Sequence, residues 1–324
     1  MSVRLNLLRR TLATLLLVLG VLALGLSSAN AAYPGRDGRI AFVRANQVFT
    51  INPDGSGQKQ LTTDGKNYRP RFSPDGTQIA YVHEDSGGKA LWLMSPDGTS
   101  KRRITPVSNV SGAAWSPNGQ QIAYATGSNH ELALITRKSD GTYTWPAYVR
   151  GYFCDVSGDT TRFSILGTPA WSSTGVISFG WYGSCDSPDY ALMTLDMKKQ
   201  PLVAKQVDEI GGACCDEGHF EDPAWSPTSS RLSYSRLDYA VYSDNDDLID
   251  MPDSVQTVNS VGTLIGIGAH DWDKQPAYSP TGSRMAVTNT SNGSSRIYVF
   301  YVPGGSGRRL LTTGYQPDWQ PLPN

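Results

Sequence analysis

Histidine is scarce in this chain, four in 324 residues, and cysteine is equally so. Charged residues make up only 18% of it, and the two signs nearly cancel at −1. The chain therefore lacks the basic footprint of a nucleic-acid-binding protein. It contains no Gly-x-Ser-x-Gly elbow, no phosphate-binding loop and no dinucleotide fingerprint. The hallmarks of α/β-hydrolases and of the common nucleotide-dependent enzymes are thus missing. No long stretch repeats apolar residues at the 3.6-residue period of an amphipathic helix. The one long apolar run lies at the start, from about Leu12 to Leu26.

Arg4, Arg9 and Arg10 precede that run, and Ala29-Asn30-Ala31 follows it. A basic start, an apolar middle and a small-x-small exit form the pattern of an export signal. The run is shorter than the ~20 residues a bilayer-spanning helix needs. The sequence therefore predicts a signal peptide over 1–31 and one exported domain over 32–324, secreted or periplasmic, with no further membrane span. What remains has 293 residues and a net charge of −4.

Gly, Pro, Ser, Thr and Asp are abundant instead, between short β-rich runs, which makes the chain all-β. One motif recurs: Arg69-Pro-Arg-Phe-Ser-Pro-Asp-Gly76, Gly112-Ala-Ala-Trp-Ser-Pro-Asn-Gly119 and Thr168-Pro-Ala-Trp-Ser-Ser-Thr-Gly175. Asp222-Pro-Ala-Trp-Ser-Pro-Thr-Ser229, Gln275-Pro-Ala-Tyr-Ser-Pro-Thr-Gly282 and the shortened Gln316-Pro-Asp-Trp-Gln-Pro321 continue it. The aromatic anchors Phe72, Trp115, Trp171, Trp225, Tyr278 and Trp319 are 43, 56, 54, 53 and 41 residues apart. That period suits the four-stranded blades of a β-propeller, and six starts predict six blades. Each aromatic is expected to pack between neighbouring blades, since no blade buries its own face alone. In the Ser-Pro-Asp-Gly turn, Pro presets φ, Asp bonds back to the backbone and Gly takes the positive φ.

The last motif stops just after its turn-forming Pro, whereas Gly35-Arg-Asp-Gly-Arg-Ile-Ala-Phe-Val43 supplies the missing half. The last blade is therefore expected to combine 314–324 with 32–65, which closes the ring without leaving a free sheet edge. The other blades fall at about 66–111, 112–167, 168–221, 222–274 and 275–313.

The Pro-x-Trp-Ser-Pro-(Asp/Asn)-Gly-x-x-Ile-Ala-Tyr pattern, clearest at 70–82 and 113–125, resembles the repeat of the TolB-like propellers, the Pro-Asp variety of WD-type repeats. The resemblance spans essentially all of 32–324. No counterpart of the small N-terminal domain of TolB is expected in 32–324, so the role of TolB in its envelope system is not carried over. The resemblance implies the fold and a habit of binding through one face.

Connectivity places the longer insertions, 151–167, 182–189, 208–221, 239–247 and 268–274, on one face, where rigid scaffolds carry their binding loops. All four cysteines fall there: Cys154, Cys185, Cys214 and Cys215. An even count in an exported chain points to disulfides. They pair either as Cys154–Cys185 with Cys214–Cys215, or crossed so that an adjacent cysteine ties two blades. A zinc site built with His219 is the competing reading, without a Cys-x-x-Cys pair to support it.

The same face is acidic, with Asp216, Glu217, Glu221 and Asp222, then Asp244-Asn-Asp-Asp247, then His270-Asp-Trp-Asp273. Hard oxygen ligands on converging loops suit calcium, with Asp222, Asp271 and Asp273 as first candidates; a solvated acidic rim is the plainer alternative. No cofactor is otherwise expected. His219, Glu221, His270 and Trp272 mark the expected ligand face. Two functional classes follow. One is a monomeric, non-catalytic scaffold for a protein or cell-envelope ligand. The other is a metal-assisted hydrolase or lyase for an extracellular polymer, with His219 and His270 as acid and base.

Overall fold

The computed structural model describes residues 33–106, 108–155, 159–182, 190–210, 217–242, 248–249, 252–260 and 262–324. The expected signal peptide lies outside them. The described secondary structure is all β and forms six sheets arranged as propeller blades. The innermost strands are Lys66–Phe72, Ala113–Trp115, Leu166–Trp171, Glu217–Trp225, Asp273–Tyr278 and Tyr315–Leu322. They define blades 1 to 6 in that order. Each aromatic anchor lies at or near the end of one of these strands. Phe72, Trp115, Trp171, Tyr278 and Trp319 are all buried. The anchors join apolar clusters that span adjacent blades, as Trp319 does with Ile40 of its own blade and Ala277 and Ala286 of blade 5.

The motif's serine has a structural task of its own. Its hydroxyl accepts the N–H five residues on in four blades: Gln78 to Ser73, Gln121 to Ser116, Arg231 to Ser226 and Arg284 to Ser279, at 2.8 to 3.2 Å. In blade 3 the shorter turn brings the N–H of Val176 to Ser172 at 2.9 Å. In these five blades the hydroxyl thus caps a backbone donor at the start of the second strand.

Blade 6 is the seam. Tyr315–Leu322 pairs antiparallel with Arg36–Arg44, with Trp319 opposite Ile40, and Gln47–Ile51 and Lys59–Gln60 complete the sheet. In this blade Gln320 occupies the position that serine holds in the other five. Its longer side chain accepts the N–H of Arg39 and donates to the Gly76 carbonyl of blade 1 at 2.9 Å. Blade 5 clamps the seam from the other side, where Arg284 contacts Asp37 at 2.6 Å and lies over the Trp319 ring.

Two blades depart from the four-stranded plan. In blade 3 the 151–167 insertion is not a loop over the binding face. Arg150–Phe153 and Thr161–Arg162 form a hairpin that adds to the outer edge, parallel to Val203–Ile210, and makes a six-stranded sheet. Its apolar residues explain the placement. Phe153 stacks on Trp181 at 4.0 Å, and Phe163 is fully buried. The hairpin also ties to blade 2 through an Arg162–Glu131 pair at 2.9 Å and through Arg162 over the Tyr148 ring. In blade 4 the third position is shared by Leu248–Ile249 and Ser254–Asn259, both paired to Arg231–Tyr242. Its outer strand is reduced to a bridge between Val258 and Leu264.

Candidate functional site

Four innermost strands carry a bulge at the residue before the motif's proline. There Arg69, Asp222, Gln275 and Gln316 take φ between 49° and 56°. Left-handed backbone costs a residue with a side chain roughly 1–2 kcal/mol. Bulges re-aim side chains, and such strain collects where the surroundings enforce it. Here it turns four polar side chains toward the neck of the central channel.

They close the neck. The Gln275 N–H donates to Ser235 of blade 4 at 2.8 Å, and the Gln275 amide oxygen accepts the Gln316 N–H at 2.9 Å. Gln316 in turn accepts the Arg69 N–H at 2.8 Å. Arg69 then reaches from blade 1 to blade 4, three positions around the ring, to meet Asp222 at 3.2 Å and Glu221 at 3.7 Å. Thr168 of blade 3 donates to Asp222 at 2.9 Å. Passage of Arg69 depends on Gly112: a Cβ there would lie 1.8 Å from the Thr168 methyl and 3.2 Å from Cδ of Arg69.

From this bolt a ladder runs outward across the loop-bearing face. Glu221 meets Nε2 of His219 at 3.2 Å, His219 packs on Tyr190, and Tyr190 meets the exposed Tyr182 edge-on. His219, Glu221 and Asp222 thus do come together, on a strand rather than in a loop. His270 and Trp272 belong to the segment entering blade 5. His270 is exposed, and Trp272 takes φ 68° with its N–H on the Asp253 carbonyl.

Asp222, Asp271 and Asp273 do not gather. Asp273 is fully buried under Arg308, which grips both its oxygens at 2.8 and 3.0 Å, and it also accepts from Asn289 and from the His270 N–H. Asp222 faces Arg69, and Asp271 is exposed. Among the described residues no three His, Cys, Asp or Glu side chains form a metal-holding group. No described cysteine is a free thiol, Cys154 included. Cys185, Cys214, Cys215, Asp216 and Asp244–Asp247 lie outside the described residues, and the side chain of Glu217 is not described.

Beyond the neck, toward the Ser-Pro-x-Gly turns, lies a vestibule of about 100 Å³. The residue directly before each aromatic anchor lines it: Arg71, Ala114, Ala170, Ala224, Ala277 and Asp318. Four alanines leave the space open, and the two charges sit on adjacent blades. One Asp318 oxygen accepts the Phe72 N–H at 2.7 Å. Burial pushes its carboxyl up to about 6, against the pull of Arg71 and that N–H. Tyr33 stands in the outer mouth. The sequence reading missed Arg69, Asp318 and Tyr33. The first two occupy fixed positions of the repeat, directly before and directly after its proline, where a blade-by-blade comparison would find them.

No family model matches the chain. Dipeptidyl-peptidase 5 of Porphyromonas gingivalis is 41% identical over 46 residues, 14% of this chain; the chain spans 7% of that protein's length. TolB from Acinetobacter baumannii superposes with a TM-score of 0.62 at 16% identity, covering 90% of this chain and 69% of that one. A chain of the nidogen/laminin complex gives 0.56 at 11% identity, covering 88% and 99%. With six sheets, a seam made by both ends and these likenesses, the chain has the fold of the TolB-like six-bladed β-propellers.

Proposed function

We propose that this protein is an exported, non-catalytic scaffold that binds a protein or cell-envelope ligand through its loop-bearing face. The observation that carries the reading is the bolted neck. Arg69, Asp222, Glu221 and His219 engage one another across the ring, while His270 is exposed in the segment entering blade 5 and is not among the residues lining the vestibule. An acid and a base must both reach one substrate. This arrangement instead stiffens the rim of the ring. The likeness to a chain of the nidogen/laminin complex, a structure of bound proteins, supports the reading. Export rests on the N-terminal pattern, and among the described residues no helix is long and apolar enough to cross a membrane. Disulfides among Cys154, Cys185, Cys214 and Cys215 would staple the loops of blades 3 and 4.

The test is a pull-down from envelope extract with the intact protein and with a form whose 211–216 segment is replaced by a short Gly-Ser turn. One partner should be retained by the first and lost by the second, while a change on the opposite face, Thr99→Lys, leaves it bound. Equal recovery by all three forms would refute the reading.

A further inference from the structure

The vestibule opens on the turn face, opposite the loops, and the protein's own N-terminal segment stands in that opening. Tyr33 packs against the Trp115 cluster, and its hydroxyl donates to the Trp115 carbonyl at 3.0 Å. The ring is the common wall of two spaces. On one side is the vestibule with Asp318; on the other is a groove of about 550 Å³ on the outer surface. Tyr33 and Pro34 line that groove together with Ser73, Pro74 and Asp75 of blade 1 and Pro117 to Gln120 of blade 2.

The seat has the features of a peptide-binding site. Its walls are prolines, alanines and aromatics of a rigid scaffold, with one carbonyl placed for a phenolic hydroxyl. A hydroxyl donor that is buried needs such a partner, and tyrosine supplies a large, stiff ring beside it. Burial and the charges of Asp318 and Asp75 push the Tyr33 phenol well above its ordinary range, so it stays a donor. Nothing in the seam requires this residue. Strand pairing in blade 6 begins at Arg36, three residues later.

We propose that the outer mouth of the vestibule is a docking site for a tyrosyl-prolyl peptide segment. Tyr33-Pro34 occupies it as an internal ligand, and a partner carrying the same dipeptide in an extended segment takes its place. The internal segment is favoured by tethering. A linked ligand acts at an effective concentration on the order of millimolar, so a free peptide competes poorly until the segment leaves. The mouth is therefore a second contact surface, separate from the loop-bearing face and closed by default.

The experiment uses the synthetic peptide acetyl-Ala-Tyr-Pro-Gly-Arg-amide and its Tyr→Ala counterpart. Each is titrated into the processed protein, into Tyr33→Gly, and into a form beginning at Gly35. Binding is followed by tryptophan fluorescence, since Trp115, Trp171, Trp225 and Trp319 line the vestibule. Circular dichroism confirms that each form is folded. The tyrosine peptide is expected to bind both altered forms at least about tenfold tighter than the processed protein. The alanine peptide should bind none. Failure to bind either altered, folded form would overturn the proposal, as would equal binding to all three. Reciprocal exchange of the segment between two copies would appear as a dimer of the processed protein, and that too would overturn the internal-ligand assignment.

Discussion

Asp318 shows how one residue departs from its repeat. Alanine fills its position in four blades, and Arg71 fills it in the fifth. Burial raises its carboxyl from 3.8 to about 6, outweighing Arg71 and the Phe72 N–H. A folded-state value above the unfolded one means that the folded protein binds the proton more tightly. The associated stability is fully present below about 4 and is lost as pH rises through about 6. The shift corresponds to on the order of 2–3 kcal/mol. Asp318→Asn keeps an acceptor for Phe72 without the charge. It should raise the melting temperature at pH 7.5 and flatten its dependence on pH between 4 and 6, measured by scanning calorimetry. An unchanged slope would contradict the assignment. Arg69 presents the opposite case, a charge whose loss is costly. Arg69→Ala leaves Asp222 buried without its counter-ion, which typically costs about 3–5 kcal/mol. Urea denaturation should show that loss, and the double change Arg69→Ala with Asp222→Ala should recover part of it.

At the scale of strands and turns, the alternating apolar pattern made the propeller legible. Aromatic spacing located every innermost strand, and the half-motifs at the two ends located the seam. What stayed hidden depends on contacts between blades. The 151–167 insertion reads as a loop because its paired segments are short and parallel to a distant strand. Only the packing of the half-buried Phe153 against the buried Phe163 shows it as an edge hairpin. The acidic candidates were legible as a cluster in sequence. Their partners, Arg69 from across the ring and Arg308 from the turn before the outer strand of Asp273's own blade, were not. Close approach between blades is equally invisible. A Cβ on Gly180 of blade 3 would meet the Phe220 carbonyl oxygen of blade 4 at 2.0 Å. Gly180→Ala should therefore cost about 1–3 kcal/mol through backbone displacement. Chemical denaturation would check it, and a neutral result would mean that the two blades are not packed this tightly.

For the whole molecule, the consequence is a ring fastened in three ways. The ends share blade 6, Gln320 bridges the break in its turn, and Arg69 crosses the neck. Such a body offers two distinct faces: turns around a vestibule whose mouth holds Tyr33 on one, and the Tyr182–Tyr190–His219 ladder on the other. The central claim is that a protein or envelope ligand engages the second of these. The direct measurement is site-specific photo-crosslinking in envelope extract, with the probe at Tyr182 on the loop-bearing face and at Thr99 in a turn on the opposite one. A single adduct from Tyr182, absent from Thr99, is the predicted result. An adduct from Thr99 with none from Tyr182 would contradict the account.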